Sequence, residues 1–137
     1  MIKKIAHIAI AVNSVDQAAG FYAEQLGLKL TGRETVPHRG VTVGFIQIGD
    51  SKIELVQPDK PDAPVARFLA ERGPGLHHIC FEVDNIDAEF SRLKAAGVRI
   101  VDPEPQTGAG GTRAFFIHPK STGGVLIELS QQIQPEP

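Results

Sequence analysis

Cysteine is nearly absent: Cys80 is the only one in 137 residues, so no internal disulfide can form, which points to a reducing compartment and a cytoplasmic protein. No apolar run approaches the length of a membrane span, and the N-terminus has neither the hydrophobic stretch nor the cleavage site of a signal peptide, so no membrane partner is expected. Basic charge is not in excess either. Fourteen Lys and Arg stand against sixteen Asp and Glu, and the net charge of −2 excludes a generally basic surface and, with it, nucleic acid as a partner. A small anionic ligand needs only a local cluster of cations and stays open. What is present is ordinary globular usage, 42% apolar and 22% charged. The length suits a single domain over 1–137 and is short for two independent ones.

The chain is written twice. His7-Ile8-Ala9-Ile10-Ala11-Val12 matches His78-Ile79-Cys80-Phe81-Glu82-Val83 at an offset of 78 − 7 = 71 residues. Both segments alternate as strands, and each runs into a helix. Ser14 with Gln17 reads as a capping box, Asn85 as a plain N-cap, and Gly27 and Gly97 as the stops. A strand is expected next in each half (Leu28–Leu30; Val98–Val101), then a polar or Gly/Pro-rich loop (31–40; 103–111). Two more strands close each half: Val41–Ile48 and Lys52–Val56, then Arg113–Ile117 and Val125–Leu129. The expected organisation is a βαβββ module over 1–57, a connector over 58–74 with a short helix from Pro64 to Arg72, and a second βαβββ module over 75–131. Residues 132–137 read as a disordered tail. Neither module buries its sheet alone, so the fold class is α+β, with the paired modules sharing a curved mixed sheet.

Strand alternation then sorts the side chains. Ile8, Ile10 and Val12 share one face, and His7, Ala9 and Ala11 the other; in the repeat, His78 and Cys80 fall on the small-residue face. That favours His78 over its neighbour His77. Ile53-Glu54-Leu55 repeats as Ile127-Glu128-Leu129, each a carboxylate between aliphatics, which is costly unless a cation compensates it. A lone strand His reads as a packed core residue, and a lone Glu as solvent-facing. Two of each at matched positions point to one metal bound by His7, Glu54, His78 and Glu128, an imidazole and carboxylate set suited to Zn, Co, Mn, Ni or Fe(II). Cys80 reads as a small core residue, since no acid/base partner marks it as a nucleophile. His38 and His118 belong to loops, as surface or substrate-contact residues, and Gly108-Ala109-Gly110-Gly111 is a weak candidate for a phosphate cradle.

At these residues the chain resembles the vicinal-oxygen-chelate (glyoxalase-like) superfamily, and within it the methylmalonyl-CoA epimerase family over nearly the whole length. The segments that carry the resemblance are Ile5-Ala6-His7-Ile8-Ala9, Lys52-Ile53-Glu54-Leu55, Gly75-Leu76-His77-His78-Ile79-Cys80 and His118-Pro119-Lys120-Ser121-Thr122-Gly123-Gly124-Val125-Leu126-Ile127-Glu128-Leu129. The resemblance implies a glyoxalase-like fold, a divalent metal (cobalt, zinc, manganese or nickel) on His7, Glu54, His78 and Glu128, an acyl-CoA substrate and a homodimer. It implies epimerisation of methylmalonyl-CoA through an enolate, with Glu128 as one acid/base group. Some members carry a Glu early in the third strand where this chain has Val43, so Glu54 is the candidate for the second group. Lys120 and Arg113 are the candidate cations for the CoA moiety. Two alternatives stand beside this reading: glyoxalase I (lactoylglutathione lyase), and a non-enzymatic small-molecule-binding protein of the same fold.

Overall fold

A computed structural model describes residues 1–135 of the protein. The alternating first segment is β1 (Ile2–Ala11). Ser14 then accepts a hydrogen bond from the Gln17 N–H at 3.2 Å and opens α1 (Val15–Leu26). That helix stops at Gly27, whose φ of 69° is the left-handed value an L side chain resists. β2 (Gly32–Val36), a 3-10 turn at Pro37–Arg39, β3 (Val41–Ile48) and β4 (Ser51–Pro58) follow, and Pro64 begins α2 (Pro64–Arg72). The second run is β5 (Gly75–Val83), α3 (Ile86–Ala95), β6 (Gln106–Gly108), β7 (Thr112–Ile117), the short α4 (Pro119–Thr122) and β8 (Ile127–Gln132). No helix among the described residues is long and apolar enough to cross a membrane.

The chain forms two compact units, His7–His77 and Met1–Ala6 together with the chain from His78 onward, so β1 and β5 each enter both. In the first unit the strand order is β2-β3-β4-β1. There β4 runs parallel to β1, with Glu54 opposite Ala9, and antiparallel to β3, with Glu54 opposite Phe45. In the second unit the start of β1 is followed by β5-β8-β7-β6. There β8 runs parallel to β5, with Glu128 opposite Cys80, and antiparallel to β7, with Glu128 opposite Phe116. The strand registers repeat as the sequence does.

One face of each sheet carries a helix. Val15 of α1 is buried among Val12, Ile46 and Leu55, and Ile86 of α3 among Val83, Phe115, Ile117 and Leu129. The two layers differ at one matched position. Where the second unit fills the gap with Phe115, the first has Gly44, and a Cβ there would lie 2.6 Å from Val15 Cγ1. A second device recurs: Gln57 Oε1 accepts the Val15 N–H at 2.9 Å, and Gln131 Oε1 accepts the Ile86 N–H at 2.9 Å, each satisfying an otherwise orphaned first-turn donor.

The third element of each module differs from expectation. Leu28–Leu30 and Val98–Val101 are not strands; Leu28, Leu30, Val98 and Ile100 pack into the helix-facing cores, with only an isolated bridge from Ile100 to Ile117. The strands fall later, at β2 and β6, in segments whose polarity reads as loop. Both are edge strands, β2 mostly exposed and β6 half-buried, so burial does not write an apolar pattern into them. Part of the segment read as a tail is also ordered: Gln132 belongs to β8, and the Ile133 and Gln134 N–H groups both donate to Gly111 O at 3.0 Å. The final Glu136 and Pro137 lie outside the described residues.

Candidate functional site

The helices cover the bulky face of each sheet, which leaves His7, Ala9 and Ala11 on the other face, all buried. Glu54 stands there at 6% exposure, and its Oε2 lies 3.1 Å from His7 Nδ1. The second unit builds the same pair: His78 Nε2 lies 3.1 Å from Glu128 Oε1, with both residues 8% exposed. The two rings present different nitrogens, so the repeat is not exact at atomic level. His77 points the other way, with its ring edge-on to Phe68 of α2 at 4.9 Å.

A carboxylate this deeply buried is unfavourable without a cation or several donors. Each pair sets an imidazole nitrogen beside a carboxylate oxygen, two atom types that bind divalent first-row metals at about 2.0–2.2 Å. Adjacent ligands at right angles on one such ion stand about 3 Å apart, which is the separation found within each pair. The residues therefore fit a metal.

An aromatic ring flanks each carboxylate, and sequence reasoning passed over both. Phe45 is opposite Glu54 and Phe116 opposite Glu128. The signal was available, because 116 − 45 = 71 is the offset of the Histidines. Phe116 also meets the His78 ring edge-on at 4.9 Å and 90°, which restricts that imidazole. Lys52 Nζ lies 5.2 Å from the Phe45 ring centroid. Val43 is 3% exposed and opposite Val56, so that position offers no proton-transfer group. Cys80 is fully buried, with its Sγ 3.2 Å from Ser130 Oγ and within 4.8 Å of a Glu128 carboxylate oxygen.

The remaining candidates scatter. Arg113 lies on β7 one residue out of phase with Phe116, on the α3 side of the sheet. Asp87 holds it there by a two-pronged ion pair at 2.8 and 3.1 Å, which pushes the Asp87 carboxyl below and the Arg113 guanidinium above their usual ranges. The structure does not bring Arg113 to Glu128. Lys120 is exposed on α4, whose N-cap is His118. Partial burial, then the charges of Arg99 and Lys120, hold the His118 imidazole below its ordinary value. His38 is exposed in the 3-10 turn. The glycine loop turns through Gly110 and Gly111 at φ of 74° and 77°, and its carbonyls are occupied by Gln132, Ile133 and Gln134.

A family model described as the Glyoxalase/Bleomycin resistance protein/Dioxygenase superfamily matches residues 6–116. The chain is 44% identical over 134 residues to the ethylmalonyl-CoA/methylmalonyl-CoA epimerase of Cereibacter sphaeroides, covering 96% of this chain and 99% of that protein. It is 43% identical over 129 residues to the mitochondrial methylmalonyl-CoA epimerase of Homo sapiens, covering 93% of this chain and 73% of that protein. Among solved structures, a variant of the Streptomyces coelicolor methylmalonyl-CoA epimerase in complex with 2-nitronate-propionyl-CoA superposes with a TM-score of 0.95 at 33% identity, covering 100% of this chain and 99% of that one.

Proposed function

The chain belongs to the Glyoxalase/Bleomycin resistance protein/Dioxygenase superfamily, and on that footing we propose that it is an isomerase interconverting (R)- and (S)-methylmalonyl-CoA. The observation that carries this is the near-full-length likeness to epimerases of malonyl-type CoA thioesters. It is joined by two buried His–Glu pairs at matched positions, which supply the groups such a reaction needs.

The C2 proton of methylmalonyl-CoA lies between a thioester and a carboxylate, so its removal leaves a planar enolate. Inversion requires one group to take the proton from one face and another to return a proton on the opposite face. We assign Glu128 to one face and Glu54 to the other. His7 and His78 orient these carboxylates, and burial keeps bulk water away from them. His7, Glu54, His78 and Glu128 would hold a divalent metal, with cobalt, zinc, manganese and nickel the candidates. When bound, such an ion supplies Lewis acidity toward the thioester and carboxylate oxygens. Of the two cations read from the sequence, Lys120 is the one we assign to the CoA moiety, since Arg113 is committed to Asp87. The superfamily resemblance supports a homodimer, and the single buried Cys80 supports a cytoplasmic, reducing setting.

Metal-loaded protein incubated in deuterated water with methylmalonyl-CoA should exchange the C2 proton. The glutathione–methylglyoxal hemithioacetal serves as the parallel substrate. Turnover of the second alone would replace this reading with glyoxalase I, and turnover of neither would favour a binding protein.

A further inference from the structure

We infer that Phe116 is the wall that limits the size of the alkyl group at C2 of the substrate. The inference names a specificity-determining residue for the epimerase reading above and rests on that reading.

Phe116 is held from three sides. Its N–H donates to the Asp102 carboxylate at 2.8 Å, and its carbonyl accepts the Val101 N–H at 2.8 Å. Its ring meets the His78 imidazole edge-on at 4.9 Å and 90°. Asp102 is itself 9% exposed, so water competes little for the first of these contacts. The segment before β6 thus pins β7 at this residue, and backbone and ring are both restrained.

The ring stands beside a proton-transfer group. Phe116 is directly opposite Glu128 on the neighbouring strand, so the two side chains share a face with Cβ atoms about 4.5–5.5 Å apart. His78 joins them: its Nε2 lies 3.1 Å from Glu128 Oε1, and its ring is the one that Phe116 meets. The preceding Phe115 is fully buried in the core under α3, whereas Phe116 is only half-buried. Its counterpart Phe45 is 8% exposed, with Lys52 Nζ 5.2 Å from the ring centroid. Of the two rings that flank a carboxylate, Phe116 therefore offers the more open apolar surface.

Chemistry gives this position its consequence. C2 carries the proton and the alkyl group on one carbon, so a proton exchanged with Glu128 brings the alkyl group close to what surrounds Glu128. Inversion also moves the alkyl group from one face of the planar enolate to the other, and on one epimer it lies on the Glu128 side. A restrained ring there packs against a short alkyl chain and collides with a longer one, because it does not give way.

The test compares metal-loaded wild type, Phe116→Leu and Phe116→Ala on methylmalonyl-CoA and butylmalonyl-CoA, followed as C2 exchange in deuterated water. Wild type should prefer the methyl compound. The kcat/KM ratio of butyl over methyl should rise about tenfold in Phe116→Ala, the scale of a methylene's room in an apolar pocket, and by less in Phe116→Leu. A ring that only orients His78 would lower both substrates together, so an unchanged ratio would overturn the inference. Should Phe116→Ala not fold, Phe116→Leu decides on the same ratio, a rise supporting the wall and no change refuting it. If wild type exchanges neither thioester, the epimerase reading fails on its own. Calorimetric titration with the two thioesters then decides the wall. A shift of relative affinity toward the butyl compound in the variants supports it, and an unchanged ratio, or no binding of either, refutes it.

Discussion

Glu128 and Glu54 stand in equivalent surroundings, each buried, each 3.1 Å from an imidazole, each opposite a phenylalanine. If both transfer protons, Glu128→Gln and Glu54→Gln should each lower kcat by about a hundredfold to ten-thousandfold, measured as epimerisation in both directions. Full activity of Glu54→Gln in both directions would reduce Glu54 to a ligand. Cys80 is the contrasting case. Its thiol is fully buried beside Ser130, so Cys80→Ala should leave kcat within about twofold and lower the unfolding free energy by about 1 kcal/mol for the lost packing. A large loss of kcat there would bring the thiol back into the chemistry. The grouping of these side chains was partly legible in the sequence, because the two-residue period of a strand sets His7 with Ala9 and Ala11, and a His and a Glu recur at matched places in both halves. The rings of Phe45 and Phe116 recur at the same 71-residue offset as the Histidines, but the place of each ring beside its carboxylate was not legible, since it depends on the pairing of β3 with β4 and of β7 with β8.

Elements carry their own tests. Gly44 lets α1 lie directly on β3, and Gly44→Ala would drive a Cβ to 2.6 Å from Val15 Cγ1. Urea denaturation should show a loss of about 1–3 kcal/mol, with part of it recovered when Val15→Ala is added. The α4 turn responds to pH. His118 caps it through a neutral Nδ1, and its folded pKa lies below the ordinary 6.5. The unfolded chain therefore takes up this proton first as pH falls, so the contribution is complete above about 6.5 and is lost as pH drops through the folded value. In His118→Asn, which keeps a capping side chain, that part of the pH dependence of unfolding should vanish. Helix starts and stops were readable because Ser14, Asn85, Pro64 and Gly27 act on their own neighbours. β2 and β6 were not, because an edge strand is defined by its partner, and Leu28–Leu30 carried an apolar signal that came from packing under α1.

For the whole molecule, an ion that binds only the folded chain adds to stability by mass action, about 2.7 kcal/mol at a hundredfold excess over its dissociation constant. Chelation should therefore lower the thermal midpoint and abolish C2 exchange together, and cobalt, zinc, manganese or nickel should restore both. A chelator-treated protein with an unchanged midpoint and full exchange would remove the metal from the account.

By itself the sequence determined the doubled βαβββ plan, the helix caps and the recurrence of one His and one Glu in each half. All three follow from local rules: a fixed period, cap chemistry, and repetition, at 78 − 7 = 71 residues for the Histidines and 128 − 54 = 74 for the Glutamates. Only the tertiary structure decided which polar segments became edge strands, and that Arg113 is held by Asp87 on the far side of its sheet. Those outcomes depend on which distant stretches of chain become neighbours, and the spacing of residues along the sequence does not contain that.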